Sequence, residues 1–310
     1  MEKRLVQPIH ELIERKNERY IQLTHYNEEG DHDQNAIIES DEDYVRWVRG
    51  HDSLKKREGE IIRSKASGTI LRKQQIGDKE IVDYVVKYEQ FIKIKKKIHS
   101  TEMVEERRAI FEEGVLKEDK ERKVKRQTKE EKVESSPLTF LETRELAGHR
   151  SNYNRLEAVK YAERWWNDYN PAYKKFKDNC TNYISQCLRA GGAPMTGGGN
   201  RASGWWLQKN NWSYSWSVAH SFRWYLSGAK TGLKGVERER ARDLVVGDVI
   251  CYDFNGDGRW QHTTIVVAKD GNGEPLVNAQ TTNSRMRYWA YEDSTAWTPN
   301  IKYKFFHIVV

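Results

Sequence analysis

The chain has 310 residues, 37% of them hydrophobic and 32% charged, with a mean hydropathy of −0.90. That length suits two globular domains, and the absence of any apolar run of about 18 residues excludes a membrane-spanning helix. Residues 1–140 hold 30 Lys+Arg against 30 Asp+Glu, whereas residues 141–310 hold 23 against 16, so the net charge of +7 belongs to the second part. Aromatic usage divides the same way, since Trp47 precedes residue 141 and the other ten tryptophans follow it. Three cysteines, Cys180, Cys187 and Cys251, are too few for a disulfide scaffold and leave the compartment open.

Leu12, Ile13, Tyr20, Ile21 and Leu23 mark a first helix. Tyr44, Val45, Trp47, Val48, Leu54, Ile61 and Ile62 mark a second, with Ser40 and Asp43 as its cap. From Gly68 the period changes to two: Val82, Tyr84, Val86 and Tyr88 alternate with Asp83, Lys87 and Glu89, and Ile92 and Ile94 with Lys93 and Lys95. Gly77-Asp78 and Glu113-Gly114 read as hairpin turns. The expectation for residues 1–126 is a small α+β accessory domain, two helices followed by a curled antiparallel sheet, NTF2-like in element order. The lysines at 93, 95, 96 and 97 are balanced by nearby acids and read as a solvated strand face, not a nucleic-acid surface. Residues 127–148, with Ser135-Ser136-Pro137, read as a linker.

A helix from about Ser151 carries Leu156, Val159, Ala162, Trp165, Trp166 and Tyr169 at helical spacing and ends before Pro171. The next helix opens at Asp178-Asn179-Cys180, with Asp178 as cap, an apolar stripe of Tyr183, Ile184, Cys187 and Leu188, and a stop at Gly191-Gly192. This puts Cys180 in the first turn, where the helix dipole and free N–H groups favour a thiolate. Cys187, two turns on within the stripe, reads as structural. Residues 249–253, 261–268 and 275–281 read as three strands, so that His262 meets Cys180 as base and Asn278 or Gln280 orients the imidazole.

Asp178-Asn179-Cys180-Thr181-Asn182-Tyr183, Gly247-Asp248-Val249-Ile250, His262-Thr263 and Leu276-Val277-Asn278-Ala279-Gln280-Thr281 together resemble the bacterial putative amidase domain family, related to the NlpC/P60 and CHAP cell-wall hydrolases. The resemblance covers residues 149–310. It implies a papain-like α+β core, Cys180 as nucleophile, His262 as base and Asn278 as the third residue. Similar domains often have histidine where this chain has Gln280. The oxyanion is expected to meet the Cys180 backbone N–H with a second donor at Asn179.

Trp205, Trp206 and Trp212, with Arg287 and Trp289, are expected to line a substrate groove, since aromatic faces stack on sugars and peptides. Asp253, Asn255 and Asp257 begin like a calcium loop, but Thr264 stands where the final glutamate belongs, so a hairpin loop is the stronger reading. A zinc site would lack any paired C-x-x-C. The expected activity is hydrolysis of an amide in peptidoglycan peptide, without a cofactor; the rival expectation is an inactive wall-binding module on the same fold. Residues 1–14 lack the apolar stretch of an export signal, which points to the cytoplasm, or to the wall if a signal has been trimmed.

Overall fold

The computed structural model describes residues 2–22, 41–122 and 153–310. The expected linker and the Ser40 cap lie outside these residues. Helix α1 (Glu2–Gln22) buries Leu5, Ile9, Leu12 and Ile13, the four- and three-residue steps of one helical stripe. Helix α2 (Asp41–Lys56) follows, and then a meander of β1 (Gly59–Ile76), β2 (Lys79–Ile94), β3 (Lys97–Glu112) and β4 (Val115–Glu121), every pair antiparallel. The turns at Gly77-Asp78 and Glu113-Gly114 fall where the sequence places them. Two boundaries differ. Ile61 and Ile62 lie on β1, not on α2, because apolar residues near a junction satisfy a helix or a strand period equally. Lys95, at φ +54°, sits in a third turn that divides the expected long strand from β3.

The α1 stripe packs on Val82, Tyr84, Val86 and Tyr88 of β2 and on Ala109 and Phe111 of β3. Further along that face the sheet is held by charge. Arg107, fully buried, pairs with Asp43, Glu105 and Asp119, while Arg46 pairs with Asp43, Glu105 and Glu121. Burial alone would raise the Asp43 carboxyl, but Arg107, Arg46 and Lys16 hold it well below its ordinary range. Burial and neighbouring Glu105 push Glu121 the other way, upward.

The second part opens with α3 (Arg155–Trp165), capped by the Asn154 side chain on the Glu157 N–H, and α4 (Cys180–Ala190). A short hairpin of β5 (Leu207–Gln208) and β6 (Asn211–Trp212) precedes α5 (Tyr214–Ser217) and α6 (Ala219–Gly228). The remaining strands are β7 (Lys234–Arg238), β8 (Val249–Asp253), β9 (His262–Lys269), β10 (Pro275–Ala279), β11 (Ser284–Tyr288) and β12 (Lys302–Val309). The helices cover one face of this sheet around Tyr183, Ile184, Trp205, Trp216 and Phe222; Tyr252, Phe254, Val266 and Tyr291 fill the other. Among the described residues no helix is long and apolar enough to cross a membrane.

The two parts share one sheet, in the order β1-β2-β3-β11-β10-β9-β8-β12-β7. One edge of β3 is divided: Arg107–Glu112 holds β4, and Glu102 and Met103 pair with Arg285 and Ser284 of β11. Arg285 ties the seam further, donating to Glu102 of β3 and to Glu163 of α3. Arg57 pairs with Asp270 and lies over the Tyr288 ring. The fit is close at Gly271, where any Cβ would lie 2.0 Å from the Ile94 carbonyl oxygen.

Candidate active site

Helix α4 begins at Cys180, and its cap is Asn179, one residue later than the expected Asp178. Asn179 is fastened on every side. Its Oδ1 accepts from the Phe176 N–H (2.9 Å) and Asn182 Nδ2 (3.0 Å), its Nδ2 donates to Gln280 Oε1, and its own N–H donates to Thr281 Oγ1 (2.7 Å). The backbone N–H and one N–H of the side-chain amide are thus engaged, and Asn179 positions the start of the helix. Cys180 is 5% exposed, and its sulfur lies 3.7 Å from Thr181 Oγ1. Cys187 and Cys251 are fully buried, and burial pushes both thiols up.

His262, the residue expected as base, opens β9, against which α4 packs. Thr181 and Thr263, the neighbours of Cys180 and His262 in sequence, join hydroxyls at 3.2 Å and so bring α4 onto β9. His262 Nε2 lies 3.2 Å from the hydroxyl of Tyr291, and its ring packs among Tyr252, Phe254 and Tyr291. Burial raises the Tyr291 phenol against the opposing effect of Arg287, with Asp293 and Cys180 as smaller contributors. Tyr291 therefore belongs to the surroundings of both Cys180 and His262. Sequence reasoning missed it: Tyr291 follows β11 in irregular chain at φ +59°, where no period marks it.

The structure corrects the expected third residue. A register shift between Leu276 and Val277 pairs Val277 with Val266 and Asn278 with Ile265. Paired residues share a face, so Asn278 sides with Ile265 in the helix-covered core, while His262, Thr264 and Val266 look the other way. Asn278 Nδ2 donates to Glu163 (2.8 Å), and its Oδ1 accepts from the Met286 N–H (2.8 Å). Gln280 Nε2 donates to the carbonyls of Trp165 and Asp168 (2.6 and 2.8 Å) while its oxygen holds Asn179. Both side chains buttress α3 and α4 from behind.

A cleft of about 400 Å³ opens beside His262. Phe254, Thr281, Arg287 and Tyr291 line it from the second part, and Arg46, Glu105, Glu121 and Arg122 from the first. Thr281 and Thr282 hold left-handed φ of +66° and +72°, a strained conformation for a β-branched residue, at the turn between this cleft and Asn179. Arg287, bound to Asp293 and lying over Tyr291, lines the cleft. The expected tryptophans are elsewhere. Trp205 and Trp206 are buried, donating to Ser185 Oγ and the Ser203 carbonyl, because the segment after α4 folds back as core. Trp212 packs against Phe176, and Trp289 against Tyr303 and Phe305 with its N–H on Glu274.

The Asp253 loop is a hydrogen-bonded turn. Asp253 accepts the N–H groups of Gly256 and Gly258, and Asp257 accepts that of Arg259, so these oxygens point at backbone and not toward a common centre. Among the described residues no three His, Cys, Asp or Glu side chains converge as metal ligands. Lys93 and Lys97 are occupied by Glu60 and the Lys269 carbonyl.

The family model described as "Putative amidase domain" matches residues 152–306. The uncharacterized protein YhbB of Bacillus subtilis (strain 168) is 52% identical over 260 residues, 83% of each chain. The uncharacterized protein YjcM of the same organism is 32% identical over 143 residues, 42% of this chain and 31% of its own. No solved structure matches the chain. With the family model spanning the helix of Cys180 and the strands of His262 and Asn278, and a relative this similar along most of its length, the chain belongs to the putative amidase domain family.

Proposed function

We propose that the protein is a cysteine amidase with a papain-like catalytic arrangement, acting on an amide bond of peptidoglycan peptide. The observation that supports this reading is the hydrogen bond between Thr181 of α4 and Thr263 of β9, the sequence neighbours of Cys180 and His262, together with the place of His262 in the wall of a cleft. In the proposed reaction Cys180 Sγ attacks the amide carbonyl and the carbonyl oxygen takes the negative charge, facing the Cys180 backbone N–H. His262, holding the thiol proton, passes it to the leaving amine, and the C–N bond breaks to leave a thioester. Water, deprotonated by His262, then releases the carboxylic acid and restores the thiol. Tyr291 holds the imidazole in this scheme; Asn179, Asn278 and Gln280 are positioning residues.

The substrate class rests on the cleft. Arg46, Glu105, Glu121, Arg122 and Arg287 give it charge of both signs, which suits a peptide with ionised groups better than a plain acyl chain, and the basic second part favours an anionic polymer. The burial of Cys180, which is not among the cleft-lining residues, favours the rival reading of an inactive wall-binding module. Alkylation by iodoacetamide, mapped by mass spectrometry on the full chain, separates the two. The amidase reading expects Cys180 to react ahead of Cys187 and Cys251 at neutral pH, and His262→Ala to slow it at least about tenfold. Uniformly slow labelling of all three, unchanged by His262→Ala, would support the module.

A further inference from the structure

A second cavity, of about 80 Å³, lies on the seam between the two parts. By the measure in which one water needs about 10–15 Å³, it has room for a small organic molecule. Trp47, Leu54, Ile61, Ile92 and Tyr288 give it an apolar wall. Its polar floor comes from β2 and β3: Gln90 pairs with Thr101 and Ile92 with His99, so all four side chains share the face that looks into the cavity.

Two atoms of that floor are unmatched. Gln90 is 5% exposed and His99 9%, and neither Gln90 Nε2 nor His99 Nδ1 has a hydrogen-bond partner within the protein. Native interiors rarely leave such groups unmet. An amide nitrogen only donates, so whatever meets Gln90 must accept. Burial, reinforced by Arg57, lowers the His99 pKa to about 4, so near neutral pH the ring is uncharged and keeps one N–H to offer. Around the rim Arg46, Arg57 and Arg287 are each held by carboxylates, Arg57 by Asp270 and Arg287 by Asp293, so the two floor groups are what is left to recognise a ligand, and a pair of neighbouring donors suits the two oxygens of a carboxylate.

We propose that this cavity is a binding site for a small carboxylate with an apolar body, its oxygens taken by Gln90 Nε2 and the His99 ring and its body laid against Trp47 and Tyr288. The site is separate from the amidase reading, because binding is measured without any cleavage.

The test is calorimetric titration of the full chain with benzoate and butyrate, and with benzamide as the uncharged counterpart, while the side-chain resonances of Gln90 and His99 are followed by NMR. The expected result is benzoate binding with a Kd of about 1 mM or tighter, an affinity ordinary for so few atoms, with both resonances shifted. Gln90→Leu is expected to weaken binding at least about tenfold with no loss of thermal stability, since an unmatched donor is removed. Ile61→Phe, which fills the cavity without touching the floor, is expected to abolish binding. Absence of binding by either carboxylate would overturn the proposal, as would equal affinity for Gln90→Leu. Benzamide binding as tightly as benzoate would overturn the assignment of a carboxylate.

Discussion

The two parts of this molecule bury their sheet faces by opposite means. In the first, long strands meet the helices through the apolar stripe of α1 at one end and a network of Lys16, Arg46, Arg107, Asp43, Glu105 and Asp119 at the other. In the second, the helix-covered face is aromatic, with Trp205, Trp216 and Phe222 fully buried. Charge neutrality in one half of the sequence and tryptophan enrichment in the other thus have the same origin, the different materials used to fill an interior. A buried ion pair specifies geometry but adds little net stability, whereas buried aromatic area stabilises directly.

The largest losses are expected at the centre of each half, Arg107 and Trp205. Arg107→Leu leaves Asp43, Glu105 and Asp119 without their shared partner and is expected to cost about 3–5 kcal/mol. Trp205→Ala, which opens a cavity and removes the hydrogen bond donated to Ser185 Oγ, is expected to cost about 3–5 kcal/mol as well. Denaturant unfolding measures both, and the shared sheet predicts that each variant lowers the transition of the whole described body, not of one half. Gly271→Ala acts on the seam: its methyl group meets the Ile94 carbonyl, and a loss of about 1–3 kcal/mol is expected, as for other overpacked contacts. Two separate unfolding transitions in that variant would show that the halves hold together mainly through this contact.

A smaller effect tests the charged half alone. His99 has a pKa of about 4, set by burial and then by Arg57, against an ordinary value near 6.5, with Asp270 acting in the opposite direction. A histidine with a depressed folded pKa contributes its full stability above the unfolded value and loses it as pH falls toward the folded one. Between pH 6.5 and 5 the expected loss is about 1.5 kcal/mol, and His99→Gln is expected to remove that part of the acid sensitivity in thermal melts. At the low end, Trp224, which is 54% exposed, is expected to tolerate alanine within about 0.5 kcal/mol, in contrast to Trp205.

What was readable in the sequence follows the range of the forces involved. Helix α4 was legible because its polar start, apolar stripe and terminal glycines are all local, and the Gly77-Asp78 and Glu113-Gly114 turns were legible for the same reason. The union of β3 with β11 was not, since it pairs Met103 with Ser284 across most of the chain and no local pattern records it. The placing of Asn278 failed on the register shift at Leu276 and Val277, which decides on which side of the sheet the residue falls. Tryptophan count marked the aromatic half correctly but could not separate core from groove, and Tyr291 reaches His262 from an irregular segment without periodicity.

The central claim is that Cys180 and His262 cleave an amide. Its most direct test is mass spectrometry of purified peptidoglycan after incubation with the full chain, beside Cys180→Ala and His262→Ala variants shown by circular dichroism to be folded. New amine and carboxylate ends are expected with the native chain and a loss of at least about a thousandfold in either variant. Release at the native rate by folded Cys180→Ala, or no release by the native chain while it still sediments with the polymer, would contradict the claim.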